Sequence, residues 1–191
     1  MPQSRGTSGR AATTRTGNAP TRPPRILLEG RPGVGKTTVA IRLAGLLRAG
    51  GLSLRGFVTE ELRESGTRMG FAVETFCGER ATLAHVTFSG PPRVGRYGVD
   101  LEAFERVALP ALSGAREAEL ILIDELGKME LASEAFRGAV SELFNRRLPF
   151  LATVHAARHP FTDTLKRDAE LIRVTRGNRD GLPEQIAARY L

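Results

Sequence analysis

Cysteine occurs once in this 191-residue chain, at Cys77, and tryptophan not at all. A single thiol excludes an intrachain disulfide framework and fits a reducing compartment, so the chain is read as cytoplasmic. Histidine is scarce as well. His85, His155 and His159 are scattered and, with one cysteine, form no Cys/His cluster of zinc-ligand spacing. No apolar run approaches the ~18 residues that a bilayer span requires, which excludes a transmembrane helix and argues against a membrane partner. No apolar core follows the early charges as it would in a secretory signal.

What the chain does have is arginine, and its distribution matters more than its number. The formal net charge is +7, but residues 1–25 carry five arginines and no acid, leaving +2 on the remainder. A domain so nearly neutral gives little support to a nucleic-acid partner. Residues 1–24 are Ser/Thr/Gly/Pro/Arg-rich and lack the large apolar side chains that would offset the entropy of ordering them, so this stretch is read as a disordered basic tail. Residues 25–191 are read as one domain, and 41% hydrophobic residues suffice for its core.

From Arg25 the pattern alternates. Short apolar runs over 25–29, 55–59, 70–76, 81–88, 120–123, 150–154 and 171–174 read as strands. Helical spacing is seen at Val39, Leu43, Leu46 and Leu47, over 101–112 (where Pro110 should kink or shorten the helix), over 132–144 and over 183–190. Residues 90–98 read as a loop, and residues 77–80 as a hairpin turn. Phe57, Phe71 and Phe76 read as core residues. The alternation predicts an α/β fold, a mostly parallel central sheet flanked by helices, with an added antiparallel hairpin.

Gly30-Arg31-Pro32-Gly33-Val34-Gly35-Lys36-Thr37 matches G-x-x-x-x-G-K-[ST], with a strand before it and a helix after it. Gly33 and Gly35 let successive N–H groups face a bound polyphosphate, and the helix beginning near Lys36 adds the positive end of its dipole. Lys36 would meet the β- and γ-phosphates, Thr37 would ligate Mg²⁺, and Thr38 would lie beside the α-phosphate. Asp124 follows Leu120-Ile121-Leu122-Ile123 at a strand's carboxyl end, where it can hold the same metal through water. Glu125, one residue on, can orient and deprotonate an attacking water, which favours hydrolysis over transfer to an acceptor.

Around these motifs run GFVTEELR (56–63), RMGFAVETFCG (68–78), RVGRYGVDLEAFERVALPAL (93–112), LILIDELGKMELASEAF (120–136), ATVH (152–155) and NRD (178–180). In this order they resemble the THEP-type nucleoside-triphosphatase family across about residues 25–191. The resemblance implies a RecA-like P-loop NTPase domain that hydrolyses ATP, GTP, CTP and UTP with little base preference and uses Mg²⁺. It also implies nucleotide contacts from residues 30–37 and from the stretch around Leu120, Ile121, Leu122, Ile123, Asp124, Glu125, Leu126 and Gly127, with Glu125 matching the family's candidate catalytic glutamate. Leu126 stands where isoleucine is more usual.

A cation beyond Lys36 is expected on the γ-phosphate or leaving oxygen, and Lys128, Arg93 and Arg96 are the candidates. His155, at a strand end, could sense the γ-phosphate, and Asn178 could lie near the base. A nucleotide or small-molecule kinase on the same fold is the alternative, kept open by Arg93, Arg96 and Arg106. A guanine-specific switch would need N-K-x-D, which the sequence lacks. The acting unit is read as a monomer, with an arginine finger from a second copy left open.

Overall fold

The computed structural model describes residues 24–114 and 119–191. Apart from Pro24, the tail read over 1–24 lies outside the described residues. In chain order come β1 (Arg25–Gly30), α1 (Lys36–Ala49), β2 (Ser53–Glu64), β3 (Thr67–Thr75), β4 (Arg80–His85), β5 (Arg93–Val94), β6 (Tyr97–Val99) and α2 (Leu101–Leu112). They are followed by β7 (Glu119–Leu126), a 3₁₀ turn (Glu130–Ala132), α3 (Glu134–Asn145), β8 (Phe150–His155), α4 (Pro160–Arg167), β9 (Glu170–Arg173) and α5 (Leu182–Ala187). No helix among the described residues is long and apolar enough to cross a membrane.

The nine strands among the described residues form one sheet in the order β5-β6-β4-β3-β2-β7-β8-β1-β9. The run β2-β7-β8-β1-β9 is parallel, and the run β2-β3-β4-β6-β5 is antiparallel. The sheet is therefore mixed in equal parts, where the sequence suggested a mostly parallel sheet with one hairpin. Ser65 (φ 46°) and Gly66 (φ 80°) close a tight turn between Glu64 and Thr67, so β2 and β3 pair as a hairpin that the apolar pattern does not show. Beyond Thr59, β2 carries Glu60, Glu61, Arg63 and Glu64; Glu61 pairs with Arg63 along the strand and with Arg68 across it, and Glu60 pairs with Arg80 of β4. Residues 93–94 and 97–99, read as loop, are short strands. Pro110 falls in the last turn of α2, which ends at Leu112.

The apolar runs divide by parity. Leu120 and Leu122 of β7 join Ile26, Leu28 and Leu151 under α1 and α5. Ile121 and Ile123 join Leu27, Phe150, Ala152 and Val154 under α2, α3 and α4. Successive side chains of a strand point to opposite faces, so a continuous apolar run is what a strand covered on both sides requires. Phe57, Phe104 and Phe136 meet at ring centroids 5.0–5.7 Å apart on the second face. Asp100 caps α2 by accepting from Ala103 N at 2.9 Å, and Ser133 caps α3 by accepting from Phe136 N at 2.9 Å.

Close approach of β2 and β7 depends on Gly56. Its φ is 103°, and a Cβ there would lie 2.1 Å from the Leu122 carbonyl oxygen. Gly56→Ala should destabilise the fold by about 3 kcal/mol or more, because both the left-handed backbone and the contact forbid a side chain. Urea unfolding with an unchanged m-value would measure this loss.

Candidate active site

Three parallel strands end together at one edge of the sheet: β1 at Gly30, β7 just beyond Asp124 and β8 at His155. Ligand sites of open α/β sheets lie at such carboxyl ends. Here they open into a cavity of about 840 Å³, walled also by β2, β3 and the start of α4.

Residues 31–35 turn from β1 into α1. Gly33 (φ 73°) has open space where its Cβ would be, and Gly35 (φ 109°) stands at the N-cap in the left-handed region. No side chain caps α1 and no acid sits in its first turn, which leaves its leading N–H groups for an anion. Lys36 is only 6% exposed, with Nζ 3.4 Å from the Gly30 carbonyl oxygen and 3.3 Å from Glu125 Oε2. Pro32, Gly33, Gly35, Lys36, Thr37 and Thr38 line the cavity. Gly30, Arg31 and Val34 do not; Gly30 acts through its carbonyl.

Asp124 is fully buried. Thr153 of β8 donates to its Oδ1 at 2.6 Å, Thr59 of β2 donates to its carbonyl oxygen, and Oδ2 has no hydrogen-bond partner. Burial raises its pKa to about 6, against the pull of the Thr153 and Thr37 hydroxyls. The β7–β8 register slips between Ile123 and Leu126, and the Asp124–Glu125 peptide is cis. Glu125 leaves the ladder there and stands half-buried in the cavity wall. An orphaned buried carboxylate oxygen beside a threonine hydroxyl is an all-oxygen set that fits Mg²⁺, which takes one or two protein ligands and keeps waters and phosphates for the rest.

Glu130, quoted in the sequence motifs but given no role there, is 4% exposed and lines the same cavity. A Cβ on Gly127 would lie 2.7 Å from Glu130 Oε2 and 2.9 Å from Glu125 Oε1, so the two carboxylates face each other across that glycine. Burial, then Glu125 and Asp124, raise the Glu130 pKa to about 8, opposed by backbone N–H groups of Glu130 and Gly127. The folded state therefore keeps a proton that the unfolded chain releases near the ordinary carboxyl value of 4.5. The Glu130 contribution to stability must fall as pH rises from about 4.5 to about 8. Glu130→Gln, a neutral isostere, should melt higher than wild type at pH 8 and lose that advantage at pH 4. Melting temperatures of both proteins across this range check it; a constant difference would mean no linked proton.

The remaining sequence candidates separate. Leu120, Ile121, Leu122 and Ile123 are fully buried in the two cores and cannot touch a nucleotide; they support Asp124. Leu126, Gly127, Lys128 and His155 do line the cavity. Lys128 is exposed and makes no hydrogen bond or ion pair with the described residues, whereas His155 Nδ1 accepts from Ala157 N at 2.8 Å. Arg93 is bound to the carbonyls of Phe88 and Arg96, and Arg96 donates to the Arg68 carbonyl and rides over the Tyr97 ring. Neither lines the cavity, because the β5–β6 hairpin uses both to fasten itself. Asn178 closes a turn instead, accepting from Thr175 N and donating to the Arg173 carbonyl. Its neighbour Arg179 lies over Gly35 and donates to the Val34 carbonyl at 3.2 Å.

Phe71, read as core, also faces the cavity, as do Arg68 and Arg158. Thr153 and Thr59 were missed; Thr153 had a signal, as the one hydroxyl inside the apolar run of β8.

A family model described as NTPase matches residues 25–187. The chain is 43% identical over 165 residues to a nucleoside-triphosphatase THEP1 of Thermotoga petrophila, covering 85% of this chain and 90% of that protein. It is 41% identical over 170 residues to the protein of that name from Methanosarcina acetivorans, covering 87% and 97%. Among solved structures it is similar to THEP1 from Aquifex aeolicus (TM-score 0.77, 37% identity, covering 85% and 96%). It is also similar to a human cancer-related nucleoside triphosphatase (TM-score 0.75, 36% identity, covering 86% and 96%). The kinase alternative finds no support among these relatives.

Proposed function

We propose a reaction from one premise: the chain belongs to the NTPase family and is a nucleoside-triphosphate hydrolase. The proposal is Mg²⁺-dependent removal of the terminal phosphate from ATP, GTP, CTP and UTP, on a P-loop fold, with little discrimination between bases. The observation that carries it is the meeting of Lys36 and Glu125 at 3.3 Å beside the unpartnered Oδ2 of Asp124. A phosphate cradle, a metal position and a water-activating carboxylate converge on one cavity.

In this reading the β1–α1 turn and the α1 amides seat the phosphates, and Lys36 Nζ lies against the β- and γ-phosphate oxygens. Thr37 Oγ1 and the Asp124 carboxylate would hold Mg²⁺, which when bound neutralises charge between those phosphates. A water oxygen attacks the γ-phosphorus as Glu125 takes its proton, and the bond to the bridging β–γ oxygen breaks to leave the diphosphate. Thr153 and Thr59 hold the end of β7 so that Glu125 need not search for its place. Phosphate release from the four nucleotides, with Mg²⁺ and with a chelator in its place, tests the proposal. Release from all four that stops with the chelator is expected; release from one alone would overturn the broad specificity.

A further inference from the structure

The cavity wall carries more positive charge than the reaction above uses. Among its described cations, Lys36 is shared with Glu125 and Arg68 is tied to Glu61. Lys128 and Arg158 have no hydrogen-bond or ion-pair partner among the described residues. Arg158 lies just beyond β8, in an exposed segment that is fastened on both sides of it. His155 Nδ1 accepts from Ala157 N at 2.8 Å, His159 Nδ1 accepts from Phe161 N to cap α4, and Lys166 reaches the His155 carbonyl while bonded to Glu29 at 2.7 Å. The backbone is anchored and the guanidinium is free.

The strand order gives this position its meaning. In the sheet β8 lies between β7, which brings Asp124 and Glu125, and β1, which brings the phosphate turn. A residue that follows β8 stands over the gap between the metal and water side and the phosphate side. We propose that Arg158 is a catalytic residue of this hydrolysis, its guanidinium meeting the γ-phosphoryl oxygens as the bond to the diphosphate breaks. The inference rests on the function proposed above and adds no covalent step: proton and leaving group go where that reaction sends them. Arginine suits the place better than Lys128 because its planar fork can bond two phosphoryl oxygens at once, where an ammonium is a point charge.

The test is steady-state phosphate release from Mg·ATP by wild type, Arg158→Ala, Arg158→Lys and Arg106→Ala, which removes an equal charge from an exposed site on α2. ADP affinity and trapping of the ADP–aluminium fluoride complex, a mimic of the transferring phosphoryl group, are measured on the same proteins. Arg158→Ala should lose about 10²-fold or more in kcat, as removal of a transition-state cation does. ADP affinity and melting temperature should stay at wild-type values, trapping should fail, and lysine should restore part of the rate. A kcat within about threefold of wild type, or parallel losses of ATP and ADP affinity at unchanged kcat, would overturn the assignment. No phosphate release by wild type would overturn the hydrolytic reading itself, and with it this one.

Discussion

Replacing Lys36 by alanine should lower phosphate release by about 10³-fold or more and weaken nucleotide binding as well, because one buried ammonium serves both ground state and transition state. The structure gives a reason beyond charge. Lys36 Nζ stands between the Gly30 carbonyl and Glu125 Oε2, so it joins the turn that binds phosphates to the carboxylate that activates water. Its loss removes a phosphate contact and leaves Glu125 without its ion-pair partner. Arginine should not rescue, since a larger planar cation cannot occupy a site that is 6% exposed and shaped for an extended chain. Isothermal titration with ADP and single-turnover hydrolysis separate the two losses. Wild-type turnover in the alanine variant would remove the site from this part of the molecule.

Glu125→Gln should behave in the opposite way toward binding. Glutamine cannot take a proton from water, so hydrolysis should fall by about 10²- to 10⁴-fold, the usual worth of a general base. Binding should be kept or tightened. In wild type a polyphosphate competes with Glu125 for Lys36; a neutral amide holds that ammonium less strongly, leaving it freer for the ligand. The signature is therefore a tight, slow enzyme, with ATP retained intact on the protein after gel filtration. Loss of binding together with turnover would make Glu125 a structural residue.

Reading the sequence reached some parts of this site and not others, for a physical reason. The turn at 30–37 and the Asp124–Glu125 pair are legible because their chemistry is local: the residues that make the feature are neighbours in the chain. The two-sided burial of β7 is legible for the same reason. The β2–β3 arm is not, since its outer half is charged on both faces and is held by ion pairs within and between strands in place of a core. α4 is short and buries only Thr162 and Leu165, too little to show a helical stripe. Arg93 and Arg96 look available in sequence, but Arg93 is consumed in closing its own hairpin and Arg96 in tying that hairpin to β3. Arg158 is the clearest case. Nothing in its flanks distinguishes it, and its place follows from β8 lying between β1 and β7, a matter of strand order that no local pattern encodes.

That strand order also dictates a timetable. β1 and the phosphate turn leave the ribosome early, yet both neighbours of β1 arrive late: Arg25 pairs with Phe150, and Ile26 with Glu170. Pairings so distant along the chain are slow to form, because the intervening segment must be closed into a loop before any contact rewards it. The nascent chain carries its anion-binding turn for most of its synthesis with no sheet to brace it. Recovery of nucleotide binding during refolding should therefore coincide with the pairing of β9 onto β1, and lag the appearance of the locally paired β2–β3–β4 ribbon.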